Sequence, residues 1–160
     1  MNKGRYTTLP DQDVTVFLIG MYVNKWYAVH KWLPVFIAMP PMIAELMRHK
    51  ELGCLSYEMF FKYRGNILVQ YWESEDKLLE YAKMPKHLKS WERFMRNIRN
   101  NDAVGFYHET YNVKQNQYEN IYLNMPDFGL GKALGTEPVG KHTHTAKQRL
   151  KSRGEKNGVQ

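Results

Sequence analysis

The stretch from Ile67 to Met95, ILVQYWESEDKLLEYAKMPKHLKSWERFM, limits more than any other the folds open to this chain. It reads as a strand running through Trp72, a tight turn at Ser74, then a long amphipathic helix. Ser74 is a good N-cap, because its hydroxyl can accept one of the N–H groups that a first helical turn leaves unpaired. Glu75 and Asp76 follow, placing carboxylates where the helix dipole favours them. Leu78, Leu79, Ala82, Leu88, Trp91, Met95 and Ile98 recur at intervals of three and four, with one slip at Met84-Pro85. Such a stripe marks a helix lying on a sheet.

The same reading extends along the chain. Val14 to Asn24 is β-branched and aromatic and reads as a first strand. Residues from about Lys31 to Lys50 read as helix, with Pro34 in the first turn and Pro40-Pro41 forcing a kink or restart. Leu55 to Tyr63 gives a second strand, and Arg64-Gly65-Asn66 a hairpin turn into the third. Ala103 to Val113 and Tyr118 to Met125 complete the strands. The order is β-α-β-β-α-β with an extra strand: a ferredoxin-like arrangement of the α+β class. In the first strand Val16, Leu18 and Tyr22 share one face, while Phe17, Ile19, Met21 and Val23 share the other. An antiparallel sheet covered on one side alternates with polar residues instead. Two apolar faces with no spare helix imply a homodimer that pairs sheet against sheet.

Composition sets the outer bounds. The 160 residues suit one domain, here divided into an arm (1–13), a folded unit (14–140) and a basic tail (141–160). A hydrophobic content of 43% excludes a disordered body. The tail carries +5 of the +7 formal charge and almost no apolar residue, so it is expected to be disordered after Gly140 and nucleic acid is not an expected partner. The single Cys54 excludes an internal disulfide framework and reads as a small core residue. No apolar leader opens the sequence, and the apolar runs at Val14–Val23 and Leu33–Met47 are too short or interrupted to span a bilayer. A cytoplasmic protein with no membrane contact is the expectation. Phe128 to Lys132 lacks the spacing and context of a phosphate loop, and His142-Thr143-His144 lacks a third metal ligand.

Three histidines carry the chemical possibilities. His87, at the helix restart, is a candidate base or heme ligand. His108, mid-strand beside Phe106 and Thr110, is a candidate general base. His30 lies at the junction of the first strand and helix, between Trp26 and Trp32. Tyr71, Trp72, Trp91 and Tyr122 suggest an aromatic interior, and Met39, Met42, Met47, Met59 and Met95 an adaptable lining. An apolar pocket with few polar groups favours a neutral organic ligand.

The phrases VFLIGMYVNKWYAVHKWLPV (Val16 to Val35), ILVQYWES (Ile67 to Ser74), HLKSWERF (His87 to Phe94), VGFYHETY (Val104 to Tyr111) and IYLNMPDFGLGKA (Ile121 to Ala133) resemble small monooxygenase-like proteins. These belong to the antibiotic-biosynthesis-monooxygenase superfamily, and the resemblance covers roughly Val14 to Val139. It implies a dimeric α+β barrel, with Trp72 matching a pocket tryptophan at the end of the third strand. Cofactor-free members oxidise electron-rich aromatic or polyketide-like compounds with dioxygen. Heme-degrading relatives add an axial histidine on the next helix, where Trp91 stands here with His87 one turn earlier. They also add an asparagine in the first strand, near Gly20 or Met21, with Asn24 beyond.

The expected function is therefore a homodimeric, cofactor-independent monooxygenase acting on an apolar small molecule. His108, His87 and Trp72 would be catalytic, and His30, Tyr71, Trp91, Tyr122 and Asn24 would contact substrate. The first alternative is a heme b enzyme of dehydratase or peroxidase type with His87 as ligand. The second is a non-catalytic ligand-binding module.

Overall fold

The computed structural model describes residues 2–9 and 11–151. Its elements are β1 (Arg5–Thr7), β2 (Val14–Val23), α1 (Val29–Ile37), α2 (Met39–Arg48), a 3-10 turn (Lys50–Leu52), β3 (Cys54–Lys62), β4 (Gly65–Trp72), α3 (Glu75–Lys83) and α4 (Pro85–Ile98). β5 (Val104–Val113), β6 (Tyr122–Leu123), α5 (Leu130–Leu134), β7 (Glu137–Pro138) and α6 (Ala146–Lys151) follow. The main sheet has the order β3-β4-β2-β5, every neighbour antiparallel. With α1–α2 joining β2 to β3 and α3–α4 joining β4 to β5, this is the ferredoxin-like α+β fold.

Prolines set the helix boundaries. Pro40 lies in the first turn of α2, where its missing N–H has no intrahelical partner to lose, so the expected long helix divides at Ala38. Pro34 lies inside α1, not in its first turn. The helix starts two residues earlier than expected, because a turn from Lys25 to Ala28 (3.1 Å between Ala28 N and Lys25 O) already curls the chain. Ser74 Oγ accepts from Lys77 N at 3.2 Å, the expected cap of α3. Met84 is then extended (φ −62°, ψ 138°), as the residue before a proline prefers, and Pro85 opens α4.

Residues directly opposite in an antiparallel sheet share a face. Phe17 pairs with Gln70 and Thr110, Ile19 with Leu68 and His108, and Met21 with Phe106, so these side chains all face the helices. Two buried clusters lie under the helices. One holds Leu46, Cys54, Trp72, Leu78 and Tyr81; the other holds Met21, Val23, Val35 and Val104. Cys54 is 2% exposed and burial pushes its thiol up to about 12, so it is an inert core residue.

The opposite sheet face carries Val16, Leu18, Tyr22, Ile67, Val69 and Tyr71. Here two expectations change. The extra strand is only Tyr122–Leu123, and it pairs with β1 in a separate three-stranded sheet, β6-β1-β7, that ties down the N-terminal arm. The chain also holds a spare helix, since α5 packs on β3. Gly129, at φ +54°, brings its backbone against Tyr71; a Cβ there would lie 2.9 Å from the Tyr71 hydroxyl. Ser56 Oγ donates to Gly129 O at 3.2 Å, and the Phe60 and Phe128 rings meet at 6.1 Å.

The tail is a third correction. Residues 141–151 are structured, and 152–160 lie outside the described residues. Arg149 is 5% exposed; its Nε donates to Glu119 at 2.8 Å and its Nη1 to the carbonyls of Thr143 (3.2 Å) and His144 (3.1 Å). The basicity that marked this segment as solvated supplies the donors that fix it. Arg149→Ala removes charge-assisted hydrogen bonds of the kind worth about 1.5–3 kcal/mol each. We expect trypsin to cut after Lys141 at least tenfold faster in this variant, with the main unfolding transition of the sheet retained.

Candidate active site

A cavity of about 380 Å³ lies between the main sheet and α1–α4, touching both core clusters. Its apolar wall includes Ile19, Leu68, Met39, Met42 and Leu88, closed at one side by the aromatic group Trp91, Phe94 and Phe106. These three rings stand 5.2–5.3 Å apart, one pair stacked and two edge-on. Few polar groups reach the cavity: Gln70, His87, Ser90, His108 and Thr110, together with the ring of Tyr81. Its size and lining are those of a site for a small apolar molecule oriented by a few polar atoms.

The break at Met84-Pro85 builds the principal polar group. In an unbroken helix the carbonyl of Ala82 would accept from the N–H of residue 86; the extended turn at Met84 leaves it among the unpaired carbonyls at the end of α3. His87 Nδ1 lies 3.1 Å from that oxygen. A carbonyl only accepts, so Nδ1 carries the proton and the lone pair of the neutral ring sits on Nε2. Burial lowers the His87 pKa below its ordinary value, against the weaker opposing effects of the Ala82 hydrogen bond and Glu45. The ring packs 4.8 Å from that of Tyr81, whose hydroxyl burial pushes up to about 12. Tyr81 therefore stays a phenol and supports the imidazole by contact.

Trp72 is fully buried and does not itself line the cavity. Its Nε1 donates to Gln70 Oε1 at 3.0 Å, two residues back on the same face of β4. Trp72, expected to be catalytic, is therefore not part of the cavity wall and meets it through Gln70. Trp91 does line the cavity. His108 lies at the rim on edge strand β5, exposed rather than in the core, its ring 5.8 Å from Phe17 and 5.9 Å from Phe106.

Four predicted contacts fall elsewhere. Tyr71 and Tyr122 lie across the sheet from the cavity: Tyr71 is against Gly129, and the Tyr122 hydroxyl accepts from Gly131 N at 2.9 Å. Neighbours in sequence point to opposite faces of a strand, so Tyr71 and Trp72 cannot share one pocket. Asn24 is exposed and donates to the Asp102 carbonyl at 3.1 Å. His30 sits in a separate open depression with Lys31, Pro34, Asn100 and Asn101. Sequence reasoning missed Gln70, whose signal was a polar residue between Leu68 and Trp72 on the buried alternation of β4. It also missed Phe17, Phe94 and Phe106, which look like ordinary core. Among the described residues no cluster of three His, Cys, Asp or Glu side chains is placed to hold a metal ion. No described helix is long and apolar enough to cross a membrane.

Residues 14–130 match the sequence profile of the family described as monooxygenase af470-like. No curated protein matches the chain. Among solved structures, aldoxime dehydratase (OxdRE) in complex with butyraldoxime is similar with a TM-score of 0.62 and 16% identity, over 83% of this chain and 39% of that one. A second aldoxime dehydratase gives 0.61 and 18%, over 78% and 39%. SnoaB, a cofactor-independent oxygenase from Streptomyces nogalater, gives 0.44 and 15%, over 65% and 95%. At these identities the likeness is one of fold.

The depressed pKa of His87 links it to stability. The unfolded ring takes up a proton more readily than the folded one, so stability is fully present above the ordinary value of 6.5 and declines as pH falls below it. Urea midpoints measured from pH 7.5 to 5 are expected to fall below pH 6.5, and part of that decline should be absent in His87→Gln.

Proposed function

The chain belongs to the monooxygenase af470-like family, and from that premise we propose that it oxidises an aromatic or polyketide-like small molecule in the cavity, without a cofactor. The observation that carries this reading is His87: a neutral imidazole of fixed tautomer, half-buried in an apolar wall, with Nε2 free to accept a proton. His87 takes the proton of an acidic C–H or phenol, leaving a carbanion or phenolate. Apolar surroundings keep that anion poorly solvated and easily oxidised, so it passes an electron to dioxygen. Recombination at carbon and loss of water leave one oxygen atom in a new carbonyl and the other in water. The Trp91, Phe94 and Phe106 rings give a flat substrate faces and edges to pack against. His108, at the rim, is the second candidate for proton transfer.

A second reading adds heme b, with His87 Nε2 as iron ligand. It is favoured by the Nδ1 contact to a carbonyl, the usual support of a ligating histidine. Heme would supply redox or Lewis-acid chemistry at iron. The fit is partial, because no Lys or Arg lines the cavity to meet the two carboxylates of the group. We also propose that the part of the sheet left open by α5, with Leu18, Tyr22 (46% exposed) and Tyr111 (51% exposed), pairs with a second copy of the chain.

Oxygen uptake with phenols and aryl ketones tests the first reading. His87→Ala should lower turnover by about 10²–10⁴, the usual contribution of a positioned base, while circular dichroism stays native. In the wild type the rate should fall on the acid side, at a pH below 6.5, as Nε2 is protonated. Binding without oxygen uptake would leave a ligand-binding module, and a Soret band on hemin titration, lost in His87→Ala, would establish the heme reading. For the dimer, light scattering should give twice the chain mass, and Leu18→Arg a folded monomer.

A further inference from the structure

The proposed reaction leaves unused the polar atoms of Gln70, Tyr81, Ser90 and Thr110 in the cavity wall, and among these Gln70 alone brings amide N–H donors. It is 7% exposed, sits on β4 between Leu68 and Trp72, and lines the cavity. An indole N–H can only donate, so the amide atom 3.0 Å from Trp72 Nε1 must be the oxygen. The orientation of this amide, elsewhere open to a flip, is thereby fixed by Trp72. Nε2 and its two N–H donors are turned away from the indole, and among the described residues they meet no acceptor. These donors are open to the cavity, where water or an acceptor on an entering molecule can meet them.

We propose that Gln70 Nε2 donates to a carbonyl oxygen of the substrate, which makes the substrate class a ketone with an acidic benzylic C–H between an aromatic ring and its carbonyl. This rests on the assignment of the cavity as the oxidation site. The cavity then has two fixed polar ends, a donor at Gln70 Nε2 and an acceptor at His87 Nε2. No Asp or Glu is among its lining residues. The first step is an enolisation. The proton moves from carbon to His87 Nε2, the C–H electron pair becomes the C=C bond of the enolate, and the charge resides on the oxygen held by Gln70. A hydrogen bond to that oxygen strengthens as charge develops, so it lowers the barrier as well as holding the ground state. Trp72 acts through Gln70 as a positioning residue.

Two bicyclic probes of nearly equal shape provide the test: 2-tetralone, which has the carbonyl, and tetralin, which lacks it. Binding is read by quenching of tryptophan fluorescence. Enolisation is read without dioxygen, as exchange of the ketone's acidic C–H for deuterium. Gln70→Leu should weaken 2-tetralone binding about tenfold, leave tetralin binding unchanged and slow exchange about a hundredfold. Trp72→Phe keeps a ring but frees the amide to turn, and should lose exchange rate more than affinity. In the unaltered protein, the side-chain amide signals of Gln70 should move on adding 2-tetralone and not on adding tetralin, which needs no variant to fold. Equal binding of the two probes by wild type and Gln70→Leu, with the amide signals unmoved, overturns the inference; the proposed function survives if oxygen uptake persists. Selective loss of ketone binding without any oxygen uptake supports the inference as ligand recognition and defeats the oxidation. Failure of both probes to bind overturns both.

Discussion

A missing N–H organises the site. Pro85 cannot continue the hydrogen-bond ladder of α3, and the residue before it is driven into extended backbone, so the second long helical segment becomes two helices. A straight helix of that length would present one continuous stripe to the sheet. The break lets α3 pack Leu78 and Tyr81 into the cluster around Trp72, while α4 takes Phe94 and Ile98 to the other cluster. The cavity is the space between those two attachments. The same break releases the Ala82 carbonyl that fixes the His87 tautomer, so one backbone feature both shapes the cavity and orients the histidine in its wall.

The sheet serves two environments at once. Its helix side mixes apolar side chains with Gln70, His108 and Thr110; its far side is covered in part by the segment around Gly129 and α5. That covering layer depends on contacts distant in sequence: β1 with β6 and β7, Ser56 with Gly129, and Arg149 with Glu119. It anchors both the N-terminal arm and the segment up to Lys151 to the folded unit. The open remainder, nearer β2 and β5, is where an apolar surface still wants a partner.

Chemically, the cavity is an apolar medium with an acceptor and a donor held at defined places. Each is fixed by an interaction that leaves only one hydrogen-bonding assignment: a carbonyl that can only accept, facing His87, and an indole that can only donate, facing Gln70. Such preorganisation suits the cofactor-free reading proposed above, in which the protein itself would stabilise an anion reacting with dioxygen.

Local sequence determined a large part of this. The order of strands and helices follows from periods of two and three to four. The Ser74 cap and the breaks at Pro40 and Pro85 follow from backbone chemistry within a few residues, and the core role of Cys54 from its setting in a strand. Alternation along β4 even separates Tyr71 from Trp72. Expecting both at one site conflicts with that alternation; which of the two parities faces the helices is decided only by packing. Nor could local sequence show that Trp72 lies behind Gln70 and outside the cavity wall, or that the charge of Arg149 is matched by Glu119, thirty residues away. Those facts depend on contacts between segments that no local pattern encodes. Sequence fixes the backbone path turn by turn, but a side chain's partner across the fold is set only when the elements pack.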